Sequence, residues 1–575
     1  MPIRYFMAIL AFSSIFFAVS AQASLKLPAT VKVDPAALEF EPMCDPKISP
    51  SWRKAQVIEG VKIEASEQCS PDNPHLIAAV VKGTNNISMG TLMETGLSPD
   101  TIIKTDDMDG DGDPDRITIK LEIIELNGRT PDFEGVIPTF DIAPGIQPGA
   151  WVFAPKTSGM STENFESLRA NSLLRLPSPV IRVEVGDIVQ IVLENTHYFP
   201  HTIHLHGVDH PFSHHEYGGG DKYGNDGVPQ TSEINLLPGE RRVYEFQARQ
   251  PGTMFYHCHV QTHTHLAMGL AGMIIVEENR PNNWLQTLNI GGGKVRHPSV
   301  AIKEQFDQEY DLQYHAMDKQ LHEIIQKYND PRLIARDMNR RYDLTDSTED
   351  YFTLNGLSFP YTLRESMIIA EPNQKIKLRM LNSGGEMVAI HTHGHKATIT
   401  HYDGVEHNPA AQITRDVFDM APAQRLDLTL NTTNDGLHNY GEGAWLFHDH
   451  REKGITTDGM SEGGSMSMIA YKSYLNELGL PKVAHGIDLS VYFTKEYYQR
   501  KIPIWQDIGQ NGSLGAAGAR SGMDLETRTT MLNLISGFFV GILIYLIVAR
   551  QQQVKSIVTS AVSKLKGFKG SKAND

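Results

Sequence analysis

The sequence has little cysteine and little positive charge, and each shortage excludes a class of protein. Three cysteines among 575 residues are too few for a disulfide-rich scaffold. Lysine and arginine number 52 against 68 aspartates and glutamates, a net charge of −16, which argues against a nucleic-acid-binding surface because phosphate binding needs clustered positive charge. Histidine, in contrast, is abundant at 24 residues. Histidine chemistry is therefore the first place to look for a function.

Long apolar runs stand out at the two ends of the chain. Residues 1–23 combine Arg4, an apolar stretch and a small-x-small ending, which predicts a cleaved secretory signal peptide; a spanning first helix is the alternative. Residues 531–549 predict a transmembrane helix, and the basic tail 550–575 predicts its cytoplasmic side. The sequence thus predicts a single-pass protein whose body lies on the periplasmic side of the inner membrane.

Between these ends, one β-rich unit occurs twice. Val180–Leu193 and Met367–Leu381 are both β-branched-rich segments interrupted by a turn, and each is followed by two histidine pairs. We therefore predict an all-β fold with one domain at 150–280 and its repeat at 350–475. The intervening residues 281–349 show helical spacing and predict a connector. A β-rich N-terminal region is expected at 24–149, and a tether to the membrane at 476–530.

Two histidine pairs occur in each repeat. A His-x-His on a strand directs both imidazoles to one face, because side chains alternate with period two. A single pair is a weak signal, but four pairs predict a metal cluster, and neutral imidazoles suit copper better than calcium or magnesium. The four motifs are His204-Leu205-His206, His257-Cys258-His259, His391-Thr392-His393 and His448-Asp449-His450.

A second metal site follows from the same parity argument. Cys258 faces away from His257 and His259, and His201 faces away from His204. Together with His263 and Met268, these residues offer two imidazoles, a thiolate and a thioether, which is the ligand set of a blue-copper centre.

In these motifs, across residues 150–475, the sequence resembles the multicopper oxidases. The resemblance implies two cupredoxin-like Greek-key β-barrels, a type 1 (blue) copper at the Cys258 site, and a cluster of one type 2 and two type 3 coppers. Carried over residue by residue, it implies two type 2 ligands, His204 and His391, and six type 3 ligands, His206, His257, His259, His393, His448 and His450. Such a protein takes single electrons from a small reducing substrate and reduces oxygen to water.

The sequence departs from three-domain laccases in carrying the blue site in its first domain. This arrangement resembles the two-domain multicopper oxidases, whose cluster forms between neighbouring subunits of a homotrimer. A cluster within one chain is the alternative left open by the long connector. The electron donor is also open, since Cu(I), Fe(II), Mn(II) or a phenol would each suit such a centre.

Three further features each have two interpretations. Asp226 resembles an acid that relays protons for oxygen reduction, or it is a plain turn residue. Asp107, Asp109, Asp111 and Asp115 alternate with glycines as in a calcium loop, or they form a solvated acidic turn. Cys44 and Cys69 form a disulfide in an exported chain, or they are two free thiols.

Two other functions compete with the oxidase. A copper nitrite reductase also has two cupredoxin domains with blue copper in the first, but it needs only one type 2 copper rather than four histidine pairs. A non-catalytic periplasmic copper-binding protein would gain nothing from a blue centre joined to a cluster. We therefore predict a membrane-anchored multicopper oxidase.

Overall fold

A computed structural model describes most of the chain between residues 97 and 501 and a C-terminal helix. The described residues are 55–58, 60–63, 65, 78, 81, 97–130, 137–157, 174–208, 224–295, 305–476, 478–482, 489–501 and 525–569. The predicted signal peptide and the predicted Cys44–Cys69 disulfide lie outside these residues.

The first half of the described chain forms a two-sheet β-sandwich, here called sandwich 1. A small separate hairpin of β1 (Gln56–Ile58) and β2 (Val61–Ile63) precedes it in the chain. The strands of sandwich 1 are β3 (Ile102–Thr105), β4 (Arg116–Leu126), β5 (Ala150–Pro155), β6 (Val180–Glu184), β7 (Ile188–Glu194), β8 (His204–His206), β9 (Arg241–Gln247), β10 (Gly252–His257), β11 (Ala271–Glu277) and β12 (Leu288–Asn289). One sheet has the order β3-β4-β7-β9 with β5 paired to β4, and the other has the order β12-β6-β11-β10-β8. A helical turn, α1 (Thr262–His265), lies between β10 and β11.

The second half repeats this architecture as sandwich 2. Its strands are β13 (Gly293–Lys294), β14 (Gln308–Asp318), β15 (Glu349–Leu354), β16 (Ile368–Ala370), β17 (Lys375–Asn382), β18 (Val388–Thr392), β19 (Ala397–Tyr402), β20 (Val405–Glu406), β21 (Ile413–Arg415), β22 (Val417–Met420), β23 (Arg425–Asn431), β24 (Ala444–Asp449) and β25 (Met466–Tyr471). One sheet has the order β13-β14-β17-β23-β19-β20, and the other has the order β16-β25-β24-β18-β22. Helices α2 (Lys319–Lys327), α3 (Pro331–Arg340) and α4 (Thr362–Glu365) connect its strands.

Three strand pairings of sandwich 1 recur in sandwich 2. In sandwich 1, β4 pairs in parallel with β7, β6 pairs in parallel with β11, and β10 pairs antiparallel with β8. In sandwich 2, β14, β16 and β24 make the same pairings with β17, β25 and β18. Each sandwich has its own apolar core, centred on residues such as Ile191 and Ile274 in the first and Leu378 and Ile469 in the second. The predicted all-β fold of two cupredoxin-like domains is therefore confirmed.

The domain limits differ from those predicted. The segment 281–349, predicted as a helical connector, contains α2 and α3 but also β14, which is the first long strand of sandwich 2. Likewise β4, within the predicted N-terminal region 24–149, belongs to sandwich 1. The repeat therefore extends further upstream in both halves than the histidine motifs suggest.

A buried group of charged residues joins the facing sheets of the two sandwiches. Arg182 on β6 is 0% exposed and forms ion pairs with Glu277, Glu309 and Asp311 at 2.6 to 2.8 Å. Arg379 on β17 pairs with Glu277 and Glu309 and also with Asp427. Two arginines thus bridge four carboxylates contributed by both sandwiches, and we call these six residues the interdomain ion network.

The C-terminal part of the chain forms a separate unit. It contains a short helix, α5 (Lys495–Tyr498), and a long one, α6 (Leu525–Lys569). Within α6, Asn533–Lys564 is long and apolar enough to cross a membrane, and an 18-residue window of it has a mean hydropathy of 1.9. This finding agrees with the predicted transmembrane helix at 531–549 by length and composition.

Candidate metal centres

The histidine pairs of sandwich 1 form one compact group. His204 and His206 lie on β8 and His257 ends β10, and the two strands pair so that His204 stands opposite His257. The ring of His204 lies 4.9 Å from that of His206, 5.3 Å from that of His257 and 5.2 Å from that of His259, measured between centroids. The Nε2 atoms of His206 and His257 face each other at 3.0 Å. The two predicted pairs of sandwich 1 thus lie together as one group of four imidazoles.

The histidine pairs of sandwich 2 form an equivalent group. His391 on β18 stands opposite His448 on β24, and His391 lies 4.7 Å from His393 and 5.5 Å from His450 between ring centroids. The Nε2 atoms of His393 and His448 face each other at 3.2 Å. The same arrangement of four imidazoles thus occurs in each sandwich, and we call the two groups half-cluster 1 and half-cluster 2.

Backbone carbonyls fix the tautomer of corresponding histidines in both half-clusters. An Nδ1–H that donates to a carbonyl leaves the lone pair of Nε2 free to bind a metal, which is the usual arrangement of metal-ligating histidines. The four bonds run from His204 to Asp226 (2.7 Å), from His257 to Cys258 (2.9 Å), from His391 to Asp416 (2.9 Å) and from His448 to Asp449 (2.9 Å). The residues present therefore fit a cluster of copper ions held by Nε2 atoms.

Burial and mutual repulsion keep several of these imidazoles neutral. Burial, reinforced by neighbouring histidines, lowers the pKa of His257 to about 3 and that of His206 to about 4. Burial also lowers the pKa values of His259, His393 and His448. Neutral imidazole is the form that binds copper, so these sites are prepared for metal at physiological pH.

Cys258 directly follows β10, and its side chain belongs to a second group of possible metal ligands, here called the Cys258 pocket. Its Sγ is 3.5 Å from Nδ1 of His201 and 3.6 Å from Nδ1 of His265, and all three residues are buried. Met268 is fully buried three residues after His265. Cys258 and His201, which the sequence analysis assigned to one site, thus lie next to each other.

The histidine beside Cys258 is His265, whereas the sequence argument named His263. Gln261 adopts a positive φ of 41° and the chain then enters α1, which leaves His263 exposed and turns His265 inward at 2% exposure. The sequence-based assignment took His263 from its position five residues after Cys258. His265 and Met268 are three residues apart and share a helical face, a signal that could have identified His265 from the sequence.

The Cys258 pocket suits a copper ion through its donor set. Two neutral imidazoles and one thiolate make the core of a blue-copper site. Burial raises the pKa of the Cys258 thiol to about 12, so without metal this group holds its proton. Burial lowers the pKa of His265 to about 3 and that of His201 well below its usual range. Metal binding would therefore release the thiol proton.

Asp226 lies beside half-cluster 1. Its backbone carbonyl accepts the Nδ1–H of His204, and its carboxylate Oδ1 lies 3.3 Å from the same nitrogen. The side chain is 31% exposed and so is open to solvent. Asp226 is thus placed next to the candidate cluster, and its predicted proton relay stays a prediction.

Three of the four predicted calcium ligands come together in the loop before β4. Asp107, Asp109 and Asp115 each offer a carboxylate oxygen within 4.8 Å of the others, and Asp111 is not part of that group. The Asp107 carboxylate accepts backbone N–H groups of Gly110, Asp111 and Gly112. Calcium binding by this loop stays a prediction.

Two β-sandwiches with paired imidazoles and a His-Cys-His pocket define a metalloprotein of the cupredoxin-like class. The multicopper oxidase family model matches this chain twice, at residues 150–280 and 326–459. The chain belongs to the multicopper oxidase family of oxidoreductases.

Several known proteins are similar to parts of this chain. Copper resistance protein A of Escherichia coli is 25% identical over 276 residues, which cover 44% of this chain and 41% of that protein. Ceruloplasmin of Rattus norvegicus is 24% identical over 277 residues, covering 45% and 22%. The blue copper oxidase of Nitrosomonas europaea is a solved structure with 25% identity and a TM-score of 0.45, covering 67% of this chain and 93% of that one. The chain thus spans less than half the length of these two curated relatives.

Proposed function

We propose that this protein is a membrane-anchored periplasmic multicopper oxidase that couples one-electron oxidation of a donor to the four-electron reduction of oxygen to water. The observation that carries the proposal is the duplication of one four-imidazole arrangement in both sandwiches, with a His-Cys-His pocket whose cysteine lies between two histidines of the first in sequence. Copper bound there would supply one-electron redox chemistry and the capacity to store four electrons.

Each group of residues has a distinct role in this proposal. His201, Cys258 and His265, together with Met268, would hold the type 1 copper. Cys258 also lies between His257 and His259 in sequence, so the chain itself gives a short covalent path from the pocket to half-cluster 1. His204 and His391 would hold the type 2 copper, and the other six paired histidines would hold the type 3 coppers.

The proposed reaction also needs protons, and an acidic side chain beside the cluster can supply them. Reduction of oxygen to water consumes four protons, and the half-exposed carboxylate of Asp226 connects solvent to the edge of half-cluster 1. Asp226 can therefore receive protons from water and pass them toward the cluster.

We further propose that the complete cluster forms between subunits of a homotrimer. The ring contacts of half-cluster 1 connect its members to each other, and those of half-cluster 2 do the same. Six type 3 and two type 2 ligands are needed at one place, so each half requires a partner half. A neighbouring subunit supplies that half in a closed, symmetric ring.

Two observations bear on the class of electron donor. Named relatives of this chain include a copper resistance protein, and the acidic composition of the chain favours cationic donors. We therefore propose a metal ion such as Cu(I), Fe(II) or Mn(II) as the first donor class to test, with phenols as the second.

Copper stoichiometry and oxygen uptake together test this function. The full chain, purified in detergent and loaded with copper, should bind about four copper ions per subunit, show the absorption of a blue centre, and consume oxygen with a metal-ion donor. About two coppers per chain with nitrite reduction would instead indicate a nitrite reductase. Four coppers without oxygen uptake from any donor would indicate a copper-binding protein.

A further inference from the structure

Both imidazoles beside Cys258 are shielded from solvent. His201 is 0% exposed and His265 is 2% exposed. Trp151 packs against both rings, with its centroid 6.1 Å from that of His201 and 5.1 Å from that of His265. The groups that tune this site must therefore act from inside the protein.

One such group is His197, which contacts His201 directly. Nδ1 of His197 lies 2.9 Å from Nε2 of His201, and the backbone N–H of Phe199 also points at this Nδ1 from 3.4 Å. Nδ1 of His201 faces Cys258, so its Nε2 carries the proton and donates to His197. The Nδ1 of His197 is then an acceptor, and its own proton lies on Nε2.

The Nε2–H of His197 faces the carboxylate of Glu125. Nε2 lies 3.9 Å from Oε2 of Glu125 and has no hydrogen-bond partner within the described part of the chain. The Oε2 atom accepts the indole N–H of Trp151 at 3.1 Å and the phenol O–H of Tyr198, which hold the carboxylate in place. Glu125 itself is buried, at 8% exposure. Glu125, His197 and His201 thus form a row. The Glu125 carboxylate faces His197, and His197 accepts a hydrogen bond from the copper-site imidazole of His201.

We propose that Glu125 is a positioning residue of the Cys258 copper centre, acting through His197 to orient His201 and to lower the reduction potential of the bound copper. This inference rests on the proposed function. The negative charge of Glu125 faces the Nε2–H of His197 at 3.9 Å and so polarises the hydrogen bond between His197 and His201. A polarised hydrogen bond behind a metal-ligating histidine raises the basicity of that ligand. A more basic ligand stabilises Cu(II) over Cu(I), and burial leaves this effect unscreened by water.

Glu125→Gln in the full, copper-loaded chain tests the proposal. The substitution removes the negative charge and keeps the shape, so the equilibrium constant for reducing the blue centre should rise about tenfold, which is about 59 mV for one electron. The measurement is a potentiometric titration of the blue absorption, with the electron paramagnetic resonance spectrum of the copper as a second readout.

Glu122→Gln is the matched control. Glu122 lies on the same strand, is buried at 5% exposure, and accepts hydrogen bonds from Thr157 rather than from the copper-site residues. Its substitution should leave the potential unchanged. Equal shifts in the two variants, or no shift in either, would overturn the proposed role of Glu125.

Tyr198→Phe gives an independent test if Glu125→Gln does not fold. It removes one hydrogen bond from Glu125 and keeps its charge, so the carboxylate acts more strongly on His197 and the potential should fall. An unchanged or raised potential would contradict the proposal. If the unmodified protein shows no blue absorption after copper loading, the proposed function itself fails, and the role of Glu125 fails with it.

Discussion

At the scale of single residues, the Cys258 pocket depends on one thiolate. Cys258→Ser replaces the soft sulfur by a hydroxyl, which is a poor copper ligand, so the intense blue absorption and donor oxidation should both disappear. Half-cluster 1 keeps all four of its imidazoles in this variant, and total copper should fall by about one ion per chain. An unchanged absorption spectrum would refute the assignment of Cys258.

The choice between two histidines gives a second prediction at this scale. His265→Ala should abolish the blue absorption, because Nδ1 of His265 lies 3.6 Å from Cys258 Sγ. His263→Ala, two residues away on the exposed side of α1, is the matched control and should keep the absorption. The reverse result would restore the assignment that the sequence spacing favoured.

Copper loading of the pocket should depend on pH. The free Cys258 thiol has a pKa raised to about 12, so throughout the neutral range copper must displace one proton. Binding therefore weakens by about tenfold for each unit by which the pH falls, and strengthens as it rises. Competition titrations against a chelator of known affinity between pH 6 and 8 would show this slope. A pH-independent affinity would mean that no thiolate forms.

At the scale of secondary-structure elements, the interdomain ion network ties β6 and β11 to β14 and β17. Arg182→Met would leave the buried Asp311 without its arginine and Glu277 and Glu309 paired with Arg379 alone, so the protein should lose about 3 to 5 kcal/mol of stability. Arg332→Met removes an ion pair with Asp330 in which the arginine side chain is 90% exposed, and it should leave the thermal midpoint unchanged. Thermal unfolding compares the two variants, and equal midpoints would show that the network contributes no stability.

The sequence analysis predicted the strands that carry the histidine motifs but did not predict strand β14. The histidine motifs fall on short strands whose side chains alternate with period two, so their shared face follows from spacing alone. Strand β14 was instead assigned to a helical connector, because apolar residues further along the segment 281–349 have helical spacing. Its Glu309, Asp311 and Gln313 are polar but buried, and Glu309 and Asp311 pair with arginines on other strands. Strand β14 nevertheless alternates these polar residues with Tyr310, Leu312 and Tyr314, a period-two pattern that indicates a strand. The sequence does not show which residues pair with the buried carboxylates, because those residues lie on distant strands.

The sequence analysis also did not identify the residues that we propose to tune the copper site. Glu125, Trp151 and His197 meet behind His201 although 72 residues separate the first from the third (197 − 125 = 72). They come together only because β4 pairs with β7 and β5. Spacing along the chain identifies metal ligands that share a strand. The residues that contact those ligands from behind depend on which strands become neighbours in the fold.

At the scale of the whole molecule, the proposed trimer makes a prediction about mixed assemblies. One variant carries His206→Ala and His257→Ala, which destroys half-cluster 1, and another carries His393→Ala and His448→Ala, which destroys half-cluster 2. Neither variant alone can build a cluster. When both are produced in one cell, a subunit with an intact first half can lie beside a subunit with an intact second half, so about a quarter of the intersubunit clusters should be complete.

Oxygen uptake of the co-produced protein, normalised to the unmodified enzyme, measures this rescue. The matched control mixes the two variants after separate purification under conditions where subunits do not exchange, and it should remain inactive. Sedimentation of the unmodified protein in detergent should give three chains per particle. A cluster formed within one chain would instead give no rescue in any mixture, because every chain in the mixture lacks one of its own halves.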